Sequence, residues 1–388
     1  MQLNTIEQSF SVAYTYKLYF TQNLFDTKNT LFRDVIKGYK ENEAVKLLFV
    51  VDDGVVAHHP KIMDAIKMYC DGHPKNLKHT EGIVIAGGEQ CKNDYGNITR
   101  ILEGINKNSI CRHSFVVVIG GGAVIDMVGY AAAIAHRGVK LIRIPTTVLS
   151  QNDSAVGVKN SINCFDKKNF LGTFAPPYAI INDIEFLHTL EQRDWIAGIA
   201  EAVKVALIKD EVFFRYISDN ALALRERKTE PMQQVIYKCA AMHMHHIAQG
   251  GDPFESGSSR PLDFGHWAAH KLEQMTHYSL RHGEAVAMGI ALDVTYAQLM
   301  GLISEETLIQ IITLMQQIGF DLHIPVETET QMNQLLAGIQ EFREHLGGEL
   351  CITLISGIGE KYDVNEIDID SMKQAVNVLN DHLKPNYS

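Results

Sequence analysis

The 388-residue chain predicts two domains: an α/β domain on a mainly parallel sheet over residues 1–183, and an all-helical domain over residues 184–388. Three observations lead there. Short apolar runs ending in Gly, Asp, Pro or Thr recur through the first half, separated by helical stretches, as in parallel sheets with crossover helices. One of them, Phe115–Ile119, leads straight into Gly120-Gly121-Gly122. After about Asp183 apolar residues fall three and four apart, the period of amphipathic helices.

The first element is an alternating stretch. Phe10, Val12, Tyr14, Tyr16, Leu18 and Phe20 alternate with more polar positions, as an antiparallel or edge strand would. The runs Val45–Val51, Ile83–Ala86, Phe115–Ile119, Leu141–Ile144 and Ala179–Ile181 read as buried strands. Ligands of such sheets sit beyond the carboxyl ends of strands, so the residues after each run are candidates for binding. In the second half, Asp194–Lys209, Pro231–Ala248, His266–Met275, Glu284–Leu299 and Glu306–Ile318 read as helices. There only Leu350–Leu354 reads as a strand, no internal repeat is visible, and the tail after about Lys384 is expected to fray.

Apolar residues make up 46% of the chain and charged ones 21%, as in ordinary soluble globular proteins. A formal net charge of −11 argues against nucleic acid as a partner. Six widely spaced cysteines with no CxxC pair suit reduced thiols in a cytoplasmic protein. Met1–Phe20 lacks the apolar run of a signal peptide, and no stretch is long enough to span a membrane.

The strand ends carry the first chemical signal. Glycines in Gly120–Asp126 let a ligand approach the backbone, and amides at a helix start favour phosphate. Asp52-Asp53 is placed to bond a ribose, while Gly87-Gly88-Glu89-Gln90-Cys91-Lys92 and Pro145-Thr146-Thr147 follow two further strands. Together they suggest a dinucleotide crevice. Asp153–Lys159, Asn163 and Lys168-Asn169 interleave polar groups with small apolar residues; their lysines are either solvated or neutralise phosphate and pyrophosphate.

The second signal is a metal-ligand pattern. Glu201 and Lys204 share a helix face in apolar surroundings, where a carboxylate needs a partner. His266 and His270 lie one turn apart, and His282 opens the next helix. One carboxylate and two imidazoles with open positions make a catalytic zinc-type site, although a single histidine is more often structural. His243, His245 and His246 read as a partly exposed helix face rather than ligands.

The motifs Gly120–Asp126, Arg137-Gly138, Pro145-Thr146-Thr147, Asp153–Lys159, Lys168-Asn169, Glu201–Lys204, Phe264–His270 and His282-Gly283-Glu284 fall in a fixed order. That order resembles dehydroquinate synthase and related sugar phosphate cyclases. The resemblance implies a Rossmann-like NAD-binding domain, a helical domain carrying zinc or cobalt, and a homodimer. It implies Glu201, His266 and His282 as metal ligands. It implies NAD contacts at Asp52, Glu89, Gln90, Lys92, Gly121, Gly122, Ile125, Asp126, Thr146, Thr147, Lys159, Lys168, Leu187 and Thr189. Lys159, Asn163 and Arg137 match phosphate-handling positions, Arg137 reaching across a dimer. Asp153, Lys204 and His270 match positions lining the reacting sugar.

Where dehydroquinate synthase has Lys, Arg and Asn before its metal histidine, this chain has His245, Ser259 and Asp263. Where that enzyme has a late lysine pair, this chain reads Phe342–Gly348. The missing cations grip a substrate carboxylate, and a buried carboxylate without one loses about 3–5 kcal/mol. The substrate implied is a ketose phosphate without that carboxylate, such as sedoheptulose 7-phosphate. The segments Gly251–Glu255, Arg260–His266 and Phe342–Gly348 resemble the epi-valiolone synthase group. The expected reaction is cyclisation with phosphate elimination to a seven-carbon cyclitol, through transient oxidation by NAD+. The alternatives are 3-dehydroquinate synthase itself, an iron-type polyol dehydrogenase and an inactive binding homologue.

Overall fold

The computed structural model describes residues 5–165, 167–251, 254 and 262–383. Ser259 and Arg260 lie outside the described residues, as do Asp252, Pro253, Glu255 and Pro261 of the segments compared with epi-valiolone synthases.

The strands are β1 Lys17–Thr21, β2 Val45–Asp52, β3 Leu77–Ile85, β4 Phe115–Gly120, β5 Lys140–Pro145, β6 Lys159–Cys164, β7 Lys167–Phe174, β8 Ala179–Asp183, β9 Ile352–Gly357 and β10 Glu360–Val364. The helices of the first half are α1 Leu31–Lys37, α2 Asp53–His58, α3 Ile62–Gly72, α4 Tyr95–Lys107 and α5 Gly122–Ile134. Those of the second are α6 Gln192–Ala197, α7 Ile199–Lys209, α8 Glu211–Asp219, α9 Ala221–Arg225, α10 Thr229–Gln249, α11 His266–Met275, α12 His282–Leu299, α13 Glu305–Ile318, α14 Glu329–His345 and α15 Ile369–His382.

Six strands form one parallel sheet in the order β1-β8-β5-β4-β2-β3. Its central strand β4, Phe-Val-Val-Val-Ile-Gly, is buried at every residue. Apolar cores cover both faces, which is why these strands read as continuous rather than alternating runs. From β2 the chain runs to β3 on one side, and from β4 to β5 and β8 on the other. Strand order therefore reverses between β2 and β4, where a ligand crevice is expected at Asp52 and Gly120–Gly122. The helices of the second half pack around their own core, built on α7, α11 and α12.

Several elements differ from expectation. The first strand covers only Lys17–Thr21 and pairs parallel to β8 at the sheet edge. Phe10, Val12 and Tyr14 lie before it, 85%, 62% and 60% exposed, with no strand beside them among the described residues. The polar stretch from Lys159 to Phe174 is an antiparallel hairpin, β6–β7, whose lysines and asparagines mask its alternation. The expected strand Leu350–Leu354 is β9, at Ile352–Gly357, and it pairs with an unexpected partner, β10, which is almost wholly exposed and has no apolar run to betray it. The expected helix Asp194–Lys209 breaks at Gly198, where a β-carbon would strike the backbone of Leu149. No helix among the described residues is long and apolar enough to cross a membrane.

Candidate metal centre and the crevice beside it

Glu201 lies on α7, wholly buried, and forms an ion pair with Lys204 one turn on, itself 2% exposed. Neither Glu201 carboxylate oxygen has an aligned hydrogen-bond partner. Instead Oε1 faces two imidazoles, with His266 Nε2 at 3.7 Å and His282 Nε2 at 3.6 Å. Burial opposes the charge on Glu201, yet Lys204, His282 and His266 hold its carboxyl well below the ordinary range. The expected trio is thus brought together, with all its ligand atoms within 4.8 Å of one another.

Backbone contacts fix the three elements. His266 is the first residue of α11, and Gly265 before it has a left-handed φ of 77°. A β-carbon on Gly289 of α12 would overlap the Gly265 carbonyl oxygen. Asp293, two-thirds along α12, accepts from the Gly265 amide at 3.0 Å and from the Trp267 indole N–H at 2.9 Å. His282 opens α12, and a β-carbon on the next residue, Gly283, would overlap the carbonyl of Ala197. Glycine-to-backbone contacts therefore draw both histidine helices against each other and against the segment leading into α7.

Each imidazole is oriented from behind. His266 Nδ1 lies 3.1 Å from the Phe264 carbonyl, an acceptor only, so Nδ1 carries the hydrogen and Nε2 is left to a ligand. Burial, and then Lys204, pushes His266 well below its usual range. His282 Nδ1 lies 3.4 Å from Glu273 Oε2, and Glu273 Oε1 accepts from Lys168 Nζ at 3.0 Å. Burial works against a charged His282, but its bonds to Glu201 and Glu273 raise it to about 9. His270 lies on an exposed face of α11, its ring 5.6 Å from that of His266 and 6.1 Å from that of His282. His270, Glu273 and His282 form a second set with metal-ligand spacing.

Beside this centre lies the single π-helical turn Ser150–Ser154. His243 is not the partly exposed residue expected: it is 8% exposed, with Nδ1 2.9 Å from Asp153 Oδ1. The period of α10 turns it inward. Arg143 is wholly buried on β5. Its guanidinium donates to the carbonyls of Ala155, Gly157 and Lys159 and, at 2.7 Å, to Asn160 Oδ1. It thereby fixes the loop that carries Asp153 and Lys159, the latter exposed at the start of β6.

At the switch point Asp52 accepts from the Gly54 amide at 2.8 Å, and Asp53 Oδ1 from the Gly87 amide at 2.9 Å. Lys92, 4% exposed, donates to Asp126 Oδ2 at 3.0 Å and to Ser161 Oγ at 3.2 Å. Burial pushes the Asp126 carboxyl up, against the pull of Lys92. Asn163 Nδ2 donates to Glu89 Oε1 at 3.1 Å and to Asn93 Oδ1 at 2.9 Å, and Gln90 accepts from Asn93. Gly121 and Gly122 open α5, Thr146 is buried beside Gly120, and Thr147 shares a hydrogen bond with Ser150. Thr189 bonds His59 at 2.9 Å. Arg137 has a left-handed φ of 62° and is exposed just after α5. The side chains of Ile125 and Leu187, two expected cofactor contacts, are 0% exposed, each packed in a core.

A model of the 3-dehydroquinate synthase N-terminal family matches residues 82–197, and one of its C-terminal family matches residues 198–341. The chain belongs to the 3-dehydroquinate synthase family. A 3-dehydroquinate synthase of Shewanella sp. (strain MR-4) is 31% identical over 364 residues, 93% of this chain and 96% of that one. Another, of Alkaliphilus metalliredigens (strain QYMF), is 32% identical over 322 residues, 83% and 86% of the two chains. Among solved structures, the 2-epi-5-epi-valiolone synthase of Streptomyces hygroscopicus subsp. jinggangensis 5008, with NAD+ and Zn2+ bound, is 26% identical with a TM-score of 0.86, covering 97% of this chain and 99% of that one. A 2-deoxy-scyllo-inosose synthase complexed with carbaglucose-6-phosphate, NAD+ and Co2+ shares the fold at 22% identity, with a TM-score of 0.75 and coverage of 92% and 95%. The family and the Rossmann-like and helical halves expected from the sequence are borne out.

Sequence reasoning passed over three residues that shape this dehydroquinate-synthase-type site. Arg143 hides inside the apolar strand run Leu141–Ile144. Glu273 lies two turns after His266, so helical spacing could have placed it on the same face. Asp293 is a lone acid in the apolar stretch of α12, itself a sign of a buried, bonded carboxyl.

Proposed function

We propose that this chain is a sugar phosphate cyclase that uses NAD+ and a divalent cation, zinc or cobalt. Its substrate is a seven-carbon ketose phosphate without a carboxylate, sedoheptulose 7-phosphate, and its product a C7 cyclitol. The carrying observation is the buried carboxylate of Glu201, paired with Lys204 on one oxygen and facing the Nε2 atoms of His266 and His282 with the other. One carboxylate and two imidazoles with open positions fit a catalytic divalent cation, which would displace the proton from His282 on binding.

When bound, NAD+ supplies a hydride acceptor that later returns the hydride, and the cation polarises the sugar oxygen. The chain's own residues do the rest. Glu201, His266 and His282 hold the cation, and Lys204 balances the charge of Glu201. The switch-point crevice at Asp52 and Gly120–Gly122 orients the dinucleotide. Lys159, Asn163 and Arg137 take the phosphate, Arg137 from the second protomer of a homodimer. Asp153, seated by His243, orients the sugar hydroxyls, and an imidazole nitrogen of His270 moves the proton. Residues 1–183 thus serve the dinucleotide and residues 184–388 the cation and sugar, in a cytoplasmic enzyme.

Two observations favour a substrate without a carboxylate. Position 263, where a dehydroquinate synthase has Asn, holds an acid, and position 245 holds an exposed His245 instead of Lys. The similarity to 2-epi-5-epi-valiolone synthase supports the same reading. The curated relatives support the rival, 3-dehydroquinate synthase.

The purified chain with NAD+ and Zn2+ or Co2+ should release phosphate from sedoheptulose 7-phosphate without net NADH. Release only from the ulosonate phosphate precursor of 3-dehydroquinate overturns the substrate in favour of the rival. Net NADH from a polyol marks a dehydrogenase instead. Glu201→Ala should abolish metal retention; unchanged metal content overturns the ligand assignment.

A further inference from the structure

The geometry points to Glu273 as the positioning residue for His282, and to Lys168 as the clamp that holds Glu273 from the other half of the molecule. This inference rests on the cation reading of Glu201, His266 and His282. Four side chains stand in line, from β7, α11, α12 and α7. Lys168 Nζ donates to Glu273 Oε1 at 3.0 Å, Glu273 Oε2 lies 3.4 Å from His282 Nδ1, and His282 Nε2 faces Glu201 Oε1 at 3.6 Å. Glu273 is 3% exposed, so its charge needs partners, and these two supply them.

A carboxylate accepting from Nδ1–H does two things to an imidazole ligand. It fixes the tautomer, leaving the Nε2 lone pair for the cation, and it stops the ring from turning about its Cβ–Cγ bond. His266 gets the same service from a backbone carbonyl on its own segment. His282 gets it from a side chain whose second oxygen is tied to the β6–β7 hairpin. One metal ligand is therefore built within the helical half, while the other is aligned only when the hairpin is docked. Lys168 lies 5.5 Å from the ring of Tyr278, which further limits where its ammonium can sit.

The test is a Co2+ titration of chelator-treated full-length protein without nucleotide, read by visible absorption. Glu273→Gln keeps the shape but not the charge, and should weaken Co2+ by about 10–100-fold and shift its visible bands. Lys168→Met, on a hairpin outside the helical core, should weaken Co2+ several-fold. The double variant should bind no worse than Glu273→Gln, because both changes break one chain of contacts. A Co2+ affinity and spectrum unchanged in Glu273→Gln would overturn the inference, as would losses that add in the double variant. If Glu273→Gln abolishes binding while Glu201→Ala retains it, the cation belongs to His270, Glu273 and His282, and Glu273 is a ligand instead. A parent chain that takes up no Co2+ overturns the cation reading itself.

Discussion

Replacing Asp293 by Asn probes how the start of α11 is held. The carboxyl is wholly buried, and burial pushes it up to about 7, against the Trp267 indole and the Gly265 amide, which pull it down. An aspartate in the unfolded chain titrates near 3.9 (about one carboxyl's ordinary value). Between the two values the folded chain keeps a proton that the unfolded chain has lost. Stability from this group is therefore full below about pH 4, falls as pH rises, and levels off above about 7. Each unit is worth about 1.4 kcal/mol, so going from pH 5 to pH 7 costs the parent about 2–3 kcal/mol. Asp293→Asn has no such proton to lose. It instead turns an amide N–H2 toward one of the two buried donors, at a cost of about 1–3 kcal/mol at every pH. The variant should thus be the less stable chain at pH 5 and gain about 2–3 kcal/mol on the parent by pH 7. Denaturant unfolding of both chains in chelator, followed by tryptophan fluorescence with Trp267 as a reporter at the site, gives the difference directly. A gap between parent and variant that stays constant, or widens as pH rises, would refute the reasoning.

Gly289→Ala puts a methyl into the Gly265 carbonyl; it should cost about 1–3 kcal/mol and weaken Co2+ binding, and unchanged stability with unchanged Co2+ affinity would contradict the close-contact account. Lys204→Met strips the buried partner from Glu201 and should lower metal-free stability by about 3–5 kcal/mol, a gap that Zn2+ narrows; unfolding with and without Zn2+ reads both effects. Arg143→Lys cannot reproduce a planar fork on three carbonyls and an amide, so it should cost about 3 kcal/mol and lower phosphate release while Co2+ binding persists. Loss of Co2+ binding in that variant would mean that the Asp153–Lys159 loop supports the metal centre as well.

How much was legible follows from which residues solvent leaves free to vary. Buried strands advertise themselves: Phe115–Ile119 has both faces covered, and its apolar run matches β4 almost residue for residue. The hairpin β6–β7 does not, being rich in Lys and Asn, and neither does β10, which stays at the surface beside the legible β9. The metal trio was readable because a carboxylate and two imidazoles have few other reasons to fall in apolar helices. Their supports were not. The overlap of Gly289 with Gly265 is a contact between backbones 24 positions apart, and no local pattern records it. His243 looked like one of three surface histidines because adjacent residues differ in burial by helix phase, which three clustered histidines obscure. Asp52 and Asp53 were expected to await a ribose; both also serve as internal acceptors for loop amides, a duty that spacing does not reveal.

The β6–β7 hairpin is fastened at two distant points. Near its start, Asn160 is gripped by Arg143 and donates to the Ala175 carbonyl; across the turn, Lys168 reaches Glu273 on α11. A two-stranded ribbon anchored in this way acts as a strut spanning the mouth between sheet and helices. Any hinge movement that widened that mouth for substrate entry or product escape would have to unload the Lys168–Glu273 pair. That pair would break together with the His243–Asp153 contact between α10 and the π-helical turn, and because Glu273 is buried, added salt would loosen the strut only weakly.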